Sequence, residues 1–205
     1  MSEAERWNQR YQAGDTPWDT GLPSSELQRV ITEHPIRPCR AIELGCGTGV
    51  NAVWLAQQGF DVTAIDLSPL ALEQARGRAE TAETKIRFLQ GDVLDPPEGI
   101  GGPYQFAFDR GCYHVVRRID VGRYLRTLEQ VAAAGSRALI LTGNAREPHE
   151  PGPPVVSEAE LRAELGQVIE IVGLREFYFD QVEGVGVRFL GWSCLGRRLE
   201  TPQTR

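Results

Sequence analysis

Ala41-Ile42-Glu43-Leu44-Gly45-Cys46-Gly47-Thr48-Gly49 is the stretch on which the fold turns. An apolar segment ends beside an acidic residue, runs into three alternating glycines, and gives way to a helical pattern at Val50. Asp66 closes the next apolar segment, about twenty residues on, the spacing of a strand, tight turn and helix that grip a nucleoside cofactor. The dinucleotide fingerprint reads G-x-G-x-x-G, its third glycine letting the helix pack on the strand. Here the pattern is E-x-G-x-G-x-G.

Working outward, residues 41–44 read as a strand, 50–58 as a helix stopped by Gly59, and 60–65 as a second strand. Ser68-Pro69 opens the next helix with a cap and a first-turn proline. Strands are predicted at 86–89 and 104–108, the latter ending at Asp109. A helix at 118–134, a strand at 137–141 and a four-proline loop at 144–156 follow. Ser157 and Glu160 form a capping box for a helix to Leu165. Residues 168–179 and 186–197 read as two final strands, which a short loop at 180–185 can join only antiparallel. On the N-terminal side, residues 3–12 and a segment from Ser24 or Ser25 to His34 read as helices flanking a turn-rich loop. Alternation of this kind predicts an α/β fold: a Rossmann-like, doubly wound, mostly parallel seven-stranded sheet with a C-terminal antiparallel hairpin.

The chain has 205 residues, the length of one domain, with a formal net charge of −6. An acidic balance argues against nucleic acid, which calls for clustered Lys and Arg. No apolar run is long enough to span a membrane. The first residues lack the layout of a signal peptide, and the four cysteines, Cys39, Cys46, Cys112 and Cys194, show no C-x-x-C. Reduced thiols and a cytoplasmic location are the expectation.

The E-x-G-x-G-x-G run resembles motif I of the class I S-adenosylmethionine-dependent methyltransferases. Trp7, Tyr11, Gly14, Pro17, Trp18, Asp19 and Gly21 form W-x3-Y-x2-G-x2-P-W-D-x-G, which resembles the N-terminal lid of the thiopurine S-methyltransferase-like group, with its thiol and halide methyltransferases. His149-Glu150-Pro151-Gly152-Pro153-Pro154 resembles that group's H-x-G-P-P loop with one residue added, and Phe189-Leu190-Gly191-Trp192 its L-G-R/W ending. The resemblance implies a single domain over 1–205, with 1–38 as helical lid and 39–205 as Rossmann-like core.

Ligands of an open α/β sheet bind beyond the carboxyl ends of its strands. Four such ends carry glycine or acid here: Glu43 with Gly45, Asp66, Asp92 and Asp109. A carboxylate at Asp66 suits both ribose hydroxyls of an adenosine; its alternative, a helix cap, is already supplied by Ser68. The resemblance implies adenine beside Leu67 and Ser68, with its amino group on Asp92 and Val93 alongside; a plain turn is the other reading of Asp92. It implies that Glu43 approaches the methionine amino group. It further implies that Gly45, Cys46, Gly47, Thr48, Gly49 and Asn51 line the cofactor, and that the Asp109 side chain or the Arg110 backbone contacts its methionine part. Trp18 is expected to pack near the sulfonium as a cation–π partner, or else to plug the N-terminal arm.

The expected activity is transfer of a methyl group from S-adenosylmethionine to a small molecule, with sulfur as the expected acceptor atom. In-line displacement at an activated methyl needs positioning and water exclusion more than a metal. Tyr11, Arg110, Tyr113, His114, Arg146 and His149 are candidates for the mouth of the site. His114, Arg110 and Tyr11 are the expected catalytic set, His114 taking a thiol proton; a structural role for that histidine is the alternative. Cys112 reads as packing. Rival acceptors are halides, metalloids and small aromatic nitrogen or oxygen nucleophiles. Asp109-Arg110-Gly111-Cys112 replaces the N/D-P-P-Y/F of many N-methyltransferases, which weighs against amides and bases. A non-catalytic S-adenosylmethionine-binding regulator is the rival from another class. No nucleic-acid or membrane partner is expected, and a monomer or weak dimer is.

Overall fold

The computed structural model describes residues 1–181 and 188–200. Two helices come first, α1 (Glu3–Ala13) and α2 (Ser25–Glu33). The alternating core follows: β1 (Arg40–Leu44), α3 (Val50–Gln57), β2 (Asp61–Asp66), α4 (Pro69–Thr81), β3 (Ile86–Gln90), β4 (Tyr104–Arg110), α5 (Cys112–Val131) and β5 (Ala132–Asn144). The chain continues through β6 (Val155–Val156), α6 (Glu158–Leu165), β7 (Ile169–Tyr178) and β8 (Leu190–Arg198). Seven strands lie in the order β3-β2-β1-β4-β5-β8-β7, with β6 beside β5. Pairs from β3 to β5 are parallel, and β8 runs antiparallel to both β5 and β7. The predicted doubly wound sheet with its antiparallel end is therefore present. Among the described residues no helix is long and apolar enough to cross a membrane.

Period-two alternation sorts the strands between two cores. Ile42, Leu44, Ile65 and Ala107 pack with Tyr124, Leu128 and Leu161 on the α5–α6 side. Ala41, Val62, Phe106 and Phe108 pack with Leu27, Leu55 and Leu72 of α2, α3 and α4 on the other. Strand order reverses direction between β1 and β4, and the carboxyl ends meet there: Leu44 pairs with Ile65 on one side and Asp109 on the other. That junction is where an open α/β sheet receives its ligand.

The structure corrects several boundaries. The helix expected from residue 118 begins at Cys112. Gly111, at φ 89°, turns the chain in the left-handed region, and the Asp109 carboxylate accepts from the amides of Cys112 and Tyr113, so the helix starts without an adjacent polar cap. The same helix breaks at Asp120 (φ −158°, ψ 94°), whose carboxylate accepts from the Arg123 amide and caps the second half. It ends at Val131, and β5 is correspondingly longer than the predicted 137–141. The four-proline loop contains the two-residue β6. The last strand starts at Leu190; residues 188 and 189 of its predicted span are not strand, and residues 186 and 187, with most of the joining loop, lie outside the described residues.

Candidate active site

The glycine loop is held to the end of β2. The amides of Gly45 and Cys46 both donate to the Ile65 carbonyl, at 2.9 and 3.0 Å. The Gly47 amide donates to Asp66 Oδ2 at 2.8 Å, and Asp66 Oδ1 accepts from the Ser68 amide at 2.9 Å. Asp66 thus clamps the loop, a role the sequence did not reveal, while Ser68 caps α4 as predicted. Burial pushes the Asp66 carboxyl above its ordinary range, against the lowering pull of the Ser68, Gly47 and Leu67 amides. Each carboxylate oxygen keeps a further acceptor position for a hydroxyl.

The three glycines make room first for the protein's own atoms. A Cβ on Gly45 would stand 2.6 Å from that of Cys112, one on Gly47 2.9 Å from the Tyr11 hydroxyl, and one on Gly49 2.8 Å from the Ala75 Cβ. The absence of a side chain at Gly49 thus lets α3 pack closely on α4. Burial pushes the Cys46 and Cys112 thiols well above their ordinary value, in keeping with packing rather than nucleophilic roles.

The N-terminal arm is tied down beyond the ends of β1, β2 and β4. Asn8 Oδ1 accepts from the Ser68 hydroxyl (3.0 Å) and the Leu70 amide (3.1 Å), so α1 rides on the start of α4. Asp19 Oδ2 accepts from the Thr48 hydroxyl at 2.6 Å, and Arg78 donates to the Thr48 carbonyl at 3.2 Å. Arg110 Nη1 donates to the Trp18 carbonyl at 3.0 Å. The Trp18 ring meets Trp7 and Tyr11 edge to face, and the Arg10 guanidinium lies 4.3 Å from its centroid. A cation already sits on Trp18, supplied by α1. Sequence reasoning did not foresee these contacts of Asn8, Asp19 and Arg78, because the partners lie 29 to 62 residues away in sequence.

Glu43 is buried at the end of β1. Its Oε1 accepts from Asn51 Nδ2 at 3.2 Å, and Oε2 is buried with no partner. Asn51 in turn accepts from the Ser24 amide, linking α2 to the site. Burial pushes the Glu43 carboxyl from 4.5 up to about 8. Arg110, partly exposed, keeps a buried Nε without a partner and makes no ion pair among the described residues. Its guanidinium lies 5.3 Å from the Phe179 centroid, and burial lowers its pKa against the opposing charges of Asp180, Glu43 and Asp19. The surface pairing considered for Arg110 is not what the chain forms.

Asp109 is buried and spent on the protein's own groups. Its oxygens take the Cys112 and Tyr113 amides and the Tyr124 hydroxyl at 2.8 Å, so its side chain is engaged within the fold rather than free for the expected methionine contact. Burial pushes its carboxyl to about 7. Asp92 holds the Leu94 amide on Oδ1 at 2.8 Å, an Asx turn that leaves Oδ2 without a partner among the described residues, and Val93 is core. Leu67 lies half-buried between Asp66 and the capping Ser68.

His114 is buried, and its Nδ1 accepts the Gly143 amide at 3.0 Å. The lone pair a general base would use is thus occupied, and burial followed by the charge of Arg110 pushes the imidazole down to about 3. Proton removal by His114 is accordingly corrected. Tyr11 is buried against the glycine loop, and burial pushes its phenol up, so it stays protonated. Tyr113 lies in the core, donating to Glu164 at 2.7 Å, and is not at the mouth. Arg146 pairs with Glu176 on the surface, and His149 meets Phe189 edge to face.

The residues suit a nucleoside sulfonium amino acid. A buried carboxylate oxygen and a buried guanidinium nitrogen, both unpartnered, match an ammonium and a carboxylate; Asp66 and Asp92 retain acceptor positions for ribose and adenine. Fold and site together define a class I S-adenosylmethionine-dependent methyltransferase, and solved proteins of this fold carry S-adenosylmethionine or S-adenosylhomocysteine. The thiopurine S-methyltransferase family model matches residues 2–189, and the chain belongs to that family. It is 28% identical over 176 residues to the thiopurine S-methyltransferase of Bordetella petrii, covering 78% of this chain and 80% of that one. It is 28% identical over 153 residues to the 2-heptyl-1-hydroxyquinolin-4(1H)-one methyltransferase of Mycobacteroides abscessus, covering 73% of this chain and 66% of that protein. A solved structure from work on the conversion of a disulfide bond into a thioacetal group during echinomycin biosynthesis superposes with TM-score 0.83 at 23% identity, covering 97% and 94% of the two chains.

Proposed function

We propose that the protein transfers a methyl group from S-adenosylmethionine to a small soft nucleophile, a thiol or a related group. The observation that carries this is the pair of buried, unpartnered polar atoms, Glu43 Oε2 and Arg110 Nε, at the strand junction of a chain belonging to an S-methyltransferase family. In this reading Glu43 accepts from the methionine ammonium and Arg110 meets the carboxylate. Asp66 takes the ribose hydroxyls and Asp92 Oδ2 the adenine amino group. Leu67 and Ser68 border the base, while Gly45, Cys46, Gly47, Thr48 and Asn51 shape the loop against the methionine part. Trp18 and Tyr11 close the arm over it and exclude water.

The bound cofactor supplies a methyl already activated on a positive sulfur, so the chain needs only to hold an acceptor in line and keep water out. A soft anion is the acceptor that such a site serves with least help.

The test is S-adenosylhomocysteine release across hydrosulfide, small thiols, an aromatic thiol, iodide, tellurite and a phenol. Turnover confined to thiols and hydrosulfide is the expected result. Turnover of the phenol alone would move the assignment to oxygen. Silence across the panel, with S-adenosylmethionine binding seen by calorimetry, would leave a binder of the cofactor and overturn the proposal.

A further inference from the structure

His114 stands beyond the carboxyl end of β4, the side of an open α/β sheet that receives ligands, and has one ring nitrogen to spare. It lies in the first turn of α5, just after Arg110-Gly111 at the end of β4, and is 7% exposed. A Cβ on Gly111 would stand 3.4 Å from its Nε2, so that edge of the ring lies against the turn leading from the strand end. Nδ1 accepts the Gly143 amide from the neighbouring strand β5. Because a backbone amide can only donate, Nδ1 carries no proton, and the neutral ring must hold its hydrogen on Nε2. That N–H makes no hydrogen bond to the described residues and, unlike Glu43 Oε2 and Arg110 Nε, is not shut off from solvent, which leaves it open to a ligand.

The groups around it supply no base. The charge acting on the ring is that of Arg110 from β4, which resists a second positive charge, and β5 contributes an uncharged amide. Asp109 is engaged by the α5 amides and Tyr124, and the Cys112 and Tyr113 side chains beside His114 stay protonated because burial raises both. The site edge therefore offers donors: Nε2–H of His114 and the guanidinium of Arg110.

On the methyltransferase reading above, we infer that His114 is a substrate-binding hydrogen-bond donor with a fixed tautomer, and that the acceptor enters as an anion whose proton has already gone to solvent. The acceptor sulfur's lone pair forms the new S–C bond. The sulfonium C–S bond breaks with its electron pair left on the cofactor sulfur. A thiolate and a sulfonium become two neutral thioethers, and no proton is left for the protein to take. Discrimination then falls on acceptor acidity: among similar thiols the more acidic one, populated as thiolate at neutral pH, is the better substrate at limiting concentration.

Two measurements test this. The chain has three histidines, so long-range proton–nitrogen NMR on histidine-labelled protein, assigned with the His34→Gln and His149→Gln variants, reads each ring. The expected result is a His114 ring that keeps the Nε2–H neutral form from pH 5 to 8. A ring titrating near pH 6.5, or protonated on Nδ1, overturns the inference whatever the enzyme methylates.

The second compares variants in the S-adenosylhomocysteine assay. His114→Asn places an amide oxygen near the Nδ1 position for Gly143 and removes the distal donor; His114→Gln places an amide nitrogen near Nε2. The expected pattern is a roughly tenfold rise in acceptor KM for Asn, part recovery for Gln, and unchanged S-adenosylmethionine affinity. In the wild type, the rising limb of kcat/KM should move with the ionisation of each thiol tried. A limb that stays at one pH for every thiol and vanishes in His114→Asn marks a general base and overturns the inference. Absence of turnover with every acceptor strikes the methyltransferase reading itself.

Discussion

Glu43 carries the proposed cofactor contact on a single buried atom. A carboxyl that is 1% exposed with one oxygen unpartnered is costly to ionise, which is why burial lifts it to about 8. An ammonium delivered beside it would restore the charge. Glu43→Gln should weaken S-adenosylmethionine binding by about 1.5–3 kcal/mol, the range for a charge-assisted hydrogen bond, as read by calorimetry. Equal affinity in the two proteins would remove Glu43 from the cofactor site. Asp66 differs because it already holds the Gly47 and Ser68 amides. Asp66→Ala should weaken S-adenosylmethionine by about 1–3 kcal/mol and also lower the melting temperature of the ligand-free chain, since the glycine loop loses its clamp. A ligand-free chain melting as the wild type does would mean that the clamp carries no stability.

The N-terminal arm and α5 are the elements whose behaviour follows from contacts across the fold. Trp18 packs edge to face on Trp7 and Tyr11 beneath the Arg10 guanidinium, so it belongs to the arm before it belongs to any ligand. Trp18→Ala should speed S-adenosylmethionine dissociation by roughly tenfold in stopped-flow displacement, with the core still folded by circular dichroism, because α1 keeps its Asn8 bonds to α4. Global unfolding of that variant would make Trp18 part of the core instead. In α5, Asp120 ends one helical segment and caps the next. Removing that cap with Asp120→Ala should cost about 0.5–2 kcal/mol in urea unfolding, the usual range for a lost N-cap. No change would mean the break is held by packing alone.

At the scale of the whole molecule, buried acids set how stability follows pH. Glu43 and Asp109 have folded-state values of about 8 and about 7, above the 4.5 and 3.8 of exposed carboxyls. Between the lower and upper value of each, the folded chain binds more protons than the unfolded chain, so stability declines as pH rises. Buried His114, held down at about 3, opposes this trend below pH 6.5, so the ligand-free melting temperature should fall from pH 6.5 to pH 8, and Glu43→Gln should flatten part of that slope. A melting temperature that climbs through this window in the wild type would contradict the burial of these two groups as ionisable acids.

Much of this architecture was legible in the chain. The glycine run, Asp66 and the Ser68-Pro69 cap rest on neighbours within a few residues, where backbone sterics and local hydrogen bonds govern, and apolar alternation gave the sheet its two faces. The start of α5 was not legible, because its amides are capped from Asp109 and no Ser, Thr, Asp or Asn stands at the turn itself. His114 shows the same limit for chemistry. Its residue type suggests a base, yet the Gly143 amide, 29 residues away, takes the lone pair and leaves a donor. Asn8 and Asp19 likewise became site residues only through partners brought to them by the fold. Element identity and order are local matters of periodicity and turn chemistry; burial, tautomer and the choice between a satisfied and an orphaned polar atom depend on which distant segments meet, and a linear pattern carries no record of that.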